Sequence, residues 1–192
     1  MLQHKIMILP IVGYGSPVLK ERAAGITDFG PELKALVADM FETMYHADGC
    51  GLAAPQIGKS VRLFVFDAEL LDEEKFKGCK MAMINAEMLE ETGNLLAYEE
   101  GCLSIPGLRE EVKRPEKIRM RYQDEEGREH TGEFEGMIAR VIQHEYDHIE
   151  GRLFTDYLSP LKKRLLQGKL SDIVKGKVKH NYPMRFAQGG KR

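Results

Sequence analysis

The chain has 192 residues, of which 43% are apolar and 30% charged, and its formal net charge is −2 at pH 7. This composition is typical of a globular protein, and the small charge predicts no general attraction to nucleic acid or anionic lipid. Three cysteines (Cys50, Cys79 and Cys102) are too few for a disulfide framework. No apolar run approaches the ~20 residues of a membrane span, and the first residues lack the apolar core of a signal peptide. We therefore expect a soluble cytoplasmic protein with no membrane or specific nucleic-acid partner.

The predicted elements follow from periodicity and turn signals. Residues 1–30 are rich in Gly and Pro and are predicted to be irregular. A helix is predicted from Pro31 to about Asp48–Gly49, where Gly is typical just after a helix end. Strands are predicted at 61–67, 81–85, 117–123 and 129–134, the last two forming a hairpin around residues 124–127. Two further helices are predicted at 136–149 and from Pro160 to about Ile173.

Strands and helices are segregated rather than alternating, which favours an α+β fold with antiparallel or mixed sheets. The helix over residues 136–149 is apolar on much of its circumference, so we expect it at the centre, with the sheets packed around it. We predict one domain over residues 1–192, ending in a C-terminal helix and basic tail from about residue 161. That end carries ten Lys and Arg against one acid, Asp172. We expect it to be a solvated tail, and its charge suggests transient docking on ribosomal RNA.

A metal motif lies within the predicted central helix. His144-Glu145-Tyr146-Asp147-His148 matches H-E-x-x-H. Histidines four residues apart on a helix lie ~5–6 Å apart at Cβ, close enough to bind one ion. Glu145 can then reach a water on that ion, whose pKa falls towards ~7, and can collect its proton. The motif indicates a metal-dependent hydrolase.

A catalytic metal site of this kind needs a third protein ligand. No His follows His148 at the spacing of long-form zincins, and Glu150 is too close to be a distant glutamate ligand. Upstream, Cys102 lies in the turn-like segment Glu99-Glu100-Gly101-Cys102-Leu103-Ser104. Its thiolate would be a strong ligand, although a single cysteine is more often a small core residue. The residues alone leave this choice open.

Three ordered motifs give the chain a close resemblance to the peptide deformylases. They are Gly49-Cys50-Gly51-Leu52-Ala53-Ala54-Pro55-Gln56, then Glu100-Gly101-Cys102-Leu103-Ser104, then Gln143 to His148 continuing to Gly151. The resemblance spans about residues 10–160. It implies a bacterial, cytoplasmic enzyme that removes the N-formyl group from the starting methionine of nascent polypeptides.

The resemblance also implies roles for individual residues. Cys102, His144 and His148 would bind one divalent ion, usually Fe(II), with zinc, nickel or cobalt able to substitute. Glu145 would be the general acid and base. Gln56 and the backbone N–H of Leu103 would hold the formyl oxygen, a role in which each donor is worth ~10²–10³ in rate.

Further residues are predicted to contact the substrate. Gly51 and Gly101 would make backbone contacts to an extended peptide. Cys50 and Arg140 occupy positions that line the methionine pocket in this family, and we expect the stem of Arg140 to face the pocket while its head reaches water. We expect Arg109 to pair with Glu100 and orient the peptide groove, and an inserted loop around residues 72–78.

Three other interpretations use the same residues. A generic zincin peptidase would share His144, Glu145 and His148 but not Cys102. A dinucleotide-binding module is suggested by Gly49-x-Gly51-x-x-Ala54. That fingerprint must follow a strand and open a helix, whereas here it follows a predicted helix. A structural zinc module would need a fourth protein ligand.

Overall fold

The computed structural model describes residues 4–188. Within that range the α-helices are α1 (Pro31–His46), α2 (Gly136–Ile149) and α3 (Pro160–Val174). The strands are β1 (Ile11–Val12), β2 (Gly51–Ala53), β3 (Leu63–Asp67), β4 (Lys80–Cys102), β5 (Ile105–Gln123), β6 (Glu129–Glu135) and β7 (Met184–Arg185). Short 3-10 helices span Pro17–Lys20, Ala54–Ile57, Ala68–Leu70 and Phe154–Tyr157. In the described part of the chain, no helix is long and apolar enough to cross a bilayer.

The main sheet has five antiparallel strands in the order β2-β3-β4-β5-β6. Its largest unit is the β4–β5 hairpin, which ends at the pair Cys102–Ile105. Four register shifts interrupt this ladder, the last between Gly101 and Cys102. Such irregularities bend and twist a strand. Cys102 and the two-residue turn Leu103-Ser104 thus form the hairpin tip. A second, two-stranded sheet pairs β1 with β7 in parallel.

Helix α2 lies at the centre of the fold. It contacts β2, β3, β5 and β6, and nine of its 14 residues are buried. Its apolar residues, such as Ala139 and Ile142, join Phe64 and Phe66 of β3 in one core cluster. Helix α1 packs its own apolar face on β2 and β3 in a second cluster. The predicted α+β fold around a central helix is therefore confirmed.

The predicted helices and hairpin correspond closely to the observed ones. Helix α1 ends at His46, two residues early, because Asp48 takes the left-handed backbone (φ 54°) that was expected of Gly49. Asp tolerates this conformation better than most residues. The predicted strand 61–67 begins at Leu63. The predicted inserted loop lies in the connection between β3 and β4.

The sequence prediction was wrong about the length of two strands. Residues 86–102 and 105–116 were not predicted as strands, yet they complete β4 and β5. Residues 87–99 of β4 are mostly exposed, and their polar and apolar residues come in short runs. This stretch therefore lacks the apolar alternation that predicts a half-buried strand.

Both chain ends also differ from the prediction. The first 30 residues contain β1 and a 3-10 helix, rather than being wholly irregular. The predicted solvated tail is wrong for the segment after α3, which returns to form β7 and buries Tyr182. The predicted domain over 1–192 extends past the described range at both ends, and Lys191 and Arg192 of the tail lie outside it.

We predict that Gly151→Ala lowers the free energy of unfolding by about 3 kcal/mol. Gly151 follows α2 with φ 73°, and a Cβ there would lie 2.7 Å from the carbonyl oxygen of Lys20. Gly78→Ala is the matched control, since Gly78 has φ 76° but open space around it, and should cost only about 1–2 kcal/mol. Urea denaturation measures both variants. Equal losses would contradict the close contact at Gly151.

Candidate metal centre and active site

Three donor side chains meet where α2 passes the tip of the β4–β5 hairpin. His144 and His148 lie one helical turn apart, with ring centroids separated by 5.2 Å. Sγ of Cys102 lies 3.3 Å from Nε2 of His148. One ligand atom from each of the three residues lies within 4.8 Å of the others. The structure thus brings together the three residues predicted as ligands, while their binding of an ion stays a prediction.

The donor set and its surroundings fit a metal ion. One thiolate and two imidazoles suit zinc or iron. Nδ1 of His144 lies 2.9 Å from Oε2 of Glu100, which orients the ring and leaves Nε2 free to bind an ion. Within residues 4–188, no fourth Cys, His or carboxylate joins the group. Three ligands leave a position for substrate or water, as catalytic sites require, whereas structural zinc sites use four.

Glu100 is the centre of a buried ion network. Its carboxylate accepts two hydrogen bonds from Arg114, at 2.7 and 2.9 Å, and one from Arg140 at 2.9 Å. Arg114 also donates to Asp147 of α2 at 2.6 Å, and Asp147 accepts from Tyr157 at 2.9 Å. Burial alone would raise the pKa of Glu100, but hydrogen bonds from His144 and Arg114 outweigh it and hold that pKa far below its usual range. Glu100 therefore stays ionised.

Glu145 lies in the opposite kind of environment. Its side chain is buried, and among the described residues its Oε2 has no hydrogen-bond partner. Burial raises the pKa of Glu145 to about 7, although the nearby His144 opposes the shift. An unpaired buried carboxyl group is costly to fold, so such groups are often functional.

Gln56 and Leu103 are both neighbours of Cys102. Gln56 is 1% exposed, and its Oε1 accepts the backbone N–H of Ala53 at 2.8 Å. This bond fixes the amide so that Nε2 faces Sγ of Cys102 and Oγ of Ser104, each at 3.4 Å. Leu103 follows Cys102 in the hairpin turn. Both predicted oxyanion donors are thus neighbours of Cys102, while their catalytic role remains a prediction.

The predicted peptide-contacting glycines border the same site. A Cβ at Gly51 would collide with the Glu145 carboxylate, so only glycine leaves room there for that side chain. A Cβ at Gly101 would lie 3.2 Å from Cγ of Arg109, which places the exposed Arg109 side chain against the hairpin tip. Cys50 is half-buried, and burial and the nearby Glu145 raise the pKa of its thiol.

Two expectations about arginines were wrong. Arg140 does not send its head into water, since it is 5% exposed and donates to Glu100 and to the carbonyl oxygens of Val112 and Leu96. Glu100 does not pair with Arg109, because Arg114 and Arg140 occupy its carboxylate. Both errors have the same cause. The buried Glu100 carboxylate needs charged partners, and Arg114 of β5 and Arg140 of α2 provide them.

Arg114 and Asp147 were missed by the sequence analysis. Asp147 lies inside the H-E-x-x-H motif, on a helix predicted to be buried, so its charge needed a buried partner. That requirement was the available signal for an ion pair. The sequence does not reveal that Arg114 is the partner of Asp147, because the pairing depends on how β5 packs on α2.

We predict that Arg114→Met destabilises the protein by about 3–5 kcal/mol, because it leaves two buried carboxylates without their main partner. Arg121→Met is the control, since Arg121 makes an exposed ion pair with Glu87 and should show no measurable change. Thermal and urea denaturation of both variants provide the measurement. An Arg114 variant as stable as the wild type would show that the network does not hold the hairpin to α2.

Known proteins are similar to this chain along nearly its whole length. A sequence model of the polypeptide deformylase family matches residues 8–164. The peptide deformylase of Cytophaga hutchinsonii is 53% identical over 94% of this chain and 98% of that protein. That of Christiangramia forsetii is 50% identical, with 96% and 99% covered.

Solved structures of peptide deformylases are also similar to this chain. The peptide deformylase of Legionella pneumophila has a TM-score of 0.80 at 38% identity, covering 89% of this chain and 98% of its own. That of Thermotoga maritima has a TM-score of 0.74 at 43% identity, with 80% and 99% covered. A zincin peptidase with a downstream third ligand is not favoured, because Cys102 of β4 completes the donor group. The chain therefore belongs to the peptide deformylase family of metal-dependent hydrolases.

Proposed function

We propose that this chain removes the N-formyl group from the formyl-methionine that begins new polypeptides, and releases formate. The observation that carries the proposal is the buried carboxyl group of Glu145 beside the Cys102, His144 and His148 donors, with an Oε2 that has no hydrogen-bond partner within residues 4–188. Family membership supports the same reaction. The proposed partners are N-formylmethionyl nascent peptides, and the proposed location is the bacterial cytoplasm.

Cys102, His144 and His148 would hold one divalent ion, which we propose is Fe(II) in the cell, with zinc, nickel or cobalt able to replace it. Such an ion acts as a Lewis acid on the formyl carbonyl and lowers the pKa of water. The residues that accompany the donors support the binding of an ion at this position. Glu100 holds the His144 ring, and the Gln56 amide faces the Cys102 sulfur.

Glu145 is proposed to move the proton that the hydrolysis requires. As the oxygen of water bonds to the formyl carbon, the Glu145 carboxylate takes a proton from that water. As the C–N bond breaks, Glu145 gives the proton to the departing nitrogen, so the peptide leaves with a free amino group. Formic acid leaves and ionises to formate. Burial supports this role, because few competing hydrogen bonds hold the carboxylate elsewhere.

Gln56 and Leu103 are proposed to stabilise the negative charge that develops on the formyl oxygen. The side-chain amide of Gln56 is held by Ala53, so its N–H donors need no rearrangement during the reaction. The backbone N–H of Leu103 would donate from the hairpin turn. Two fixed donors on one oxygen stabilise the transition state more than the neutral carbonyl.

Substrate contacts are proposed around this centre. Gly51 and Gly101 would bind the extended peptide through their backbones, and Cys50 would line the methionine pocket. Arg109 is exposed at the hairpin tip, where its charge can orient the peptide. Arg140 is assigned to holding Glu100 instead of lining the pocket.

Transient association with the ribosome remains a hypothesis that rests on charge. Residues 161–192 carry ten Lys and Arg against one acid. Two of these lysines already have partners, since Lys162 pairs with Glu110 and Lys163 donates to the carbonyl oxygen of Asp156. Basic side chains of this kind bind RNA phosphates in a salt-dependent manner.

We predict that Glu145→Gln reduces formate release from formyl-Met-Ala-Ser by about 10²–10⁴-fold while bound metal is unchanged. Cys102→Ala should lose both metal and activity, because it removes a ligand. Glu133→Gln, on the exposed face of β6, is the control and should behave as wild type. Activity assays and metal analysis on the same anaerobic samples measure both effects. Wild-type activity in Glu145→Gln would contradict the proposed proton transfer.

We predict about one iron per chain after anaerobic purification, since the donor set provides one three-ligand site. Exposure to air should remove activity over time, because Fe(II) and the Cys102 thiolate are both oxidisable. Protein reloaded with nickel should lose activity more slowly in air, because only the Cys102 thiolate then remains readily oxidisable. Elemental analysis and timed assays test this assignment. Zinc in the anaerobic protein would contradict Fe(II) but leave the hydrolysis proposal intact.

A further inference from the structure

Residues 180–186 form a segment, here called the C-terminal strap, that returns from α3 to the hairpin tip. Backbone N–H groups of Ile11 and Gly13 donate to the carbonyl oxygens of Pro183 and Arg185, each at 2.9 Å. The side chain of Asn181 donates to Asp48, just after α1, at 3.3 Å. The strap is thus attached to both the first strand and the end of α1. It lies beyond residues 8–164, which match the family model.

Tyr182 is the one strap residue that reaches the hairpin turn by a side-chain hydrogen bond within the described range. It is 9% exposed and joins the apolar cluster of α1, β2 and β3. Its hydroxyl donates to the carbonyl oxygen of Leu103 at 2.8 Å. The ring alone would satisfy the apolar packing. The hydroxyl adds a polar contact to the backbone of the turn, which the ring alone would not make.

The turn is held at neighbouring points. The carbonyl oxygen of Ser104 accepts the backbone N–H of Tyr14 at 2.8 Å. The Leu103 side chain packs over Gly49, where a Cβ would lie 2.7 Å from Cδ1 of Leu103. Because a peptide unit is planar, a bond to the Leu103 carbonyl fixes the plane after Leu103. Only the two backbone torsions of Leu103 then separate that plane from the one that carries its N–H.

We propose that Tyr182 is a positioning residue, which holds the Leu103 carbonyl so that the Leu103 N–H points at the formyl oxygen. This inference rests on the proposed function, since it assigns a support to one of the two oxyanion donors. A donor that is fixed before the reaction stabilises developing charge without a cost of reorganisation. Loss of the Tyr182 bond removes the restraint on the Leu103 carbonyl, so the torsions of Leu103 can change and turn its N–H away.

The test is Tyr182→Phe in the full chain, which keeps the ring and removes only the hydroxyl. We expect kcat to fall by about threefold to tenfold, the range of one ordinary hydrogen bond, while KM changes by less than about twofold. The matched control is Tyr45→Phe, because Tyr45 also packs on the α1 cluster and donates to Asp67 at 2.7 Å. It should lose comparable stability without loss of kcat.

A second measurement does not depend on activity. In zinc-loaded protein, ¹⁵N relaxation reports the order parameter of the Leu103 N–H, which should fall from about 0.85 towards 0.6 in Tyr182→Phe and stay unchanged in Tyr45→Phe. The proposal is overturned by an unchanged order parameter, by a kcat within about twofold of wild type, by a loss confined to KM, or by an equal kcat loss in Tyr45→Phe. If wild-type protein releases no formate, the proposed function fails, and the order parameter still decides the role of Tyr182.

Discussion

The buried carboxylate of Glu100 is the constraint on which the metal centre depends. A carboxylate removed from water is stable only when its oxygens are fully paired, and here Arg114, Arg140 and His144 pair them. These partners come from β5 and α2, while Glu100 itself lies two residues before Cys102 in β4. Pairing Glu100 therefore fixes the hairpin tip against the helix, and it brings the thiol to the two imidazoles.

The same helix holds a second buried carboxylate that lacks such partners. Glu145 lies next to His144, yet its Oε2 is unpaired among the described residues, and its pKa rises where that of Glu100 falls. Two carboxyl groups in one buried region thus have different pKa values because their environments differ. One stays ionised and orients the His144 ring, while the other is able to exchange a proton near neutral pH. Arg114 and Arg140 pair with Glu100, and this pairing decides which of the two carboxyl groups stays ionised.

Part of this arrangement could be predicted from local sequence signals, and part only from the family resemblance. Helical spacing predicted α2 and its histidine pair, whereas the resemblance carried by three short motifs implied the roles of Cys102, Gln56 and Leu103. The Glu100 network could not be predicted, since the register of β5 against α2 decides which arginine reaches Glu100. The strap was missed for a related reason. The Lys-rich segment that precedes the strap resembles a solvated tail, and Tyr182 is buried by residues of α1 that are distant in the sequence.

The hairpin turn explains why distant parts of the chain share one site. A two-residue turn has few backbone hydrogen bonds of its own, so its carbonyl groups must find partners elsewhere. Ser104 finds the N–H of Tyr14, and Leu103 finds the hydroxyl of Tyr182. The segments that supply these partners pair with each other as β1 and β7. Two segments that are far apart in the chain but paired in the fold thus restrain the two turn residues that follow Cys102.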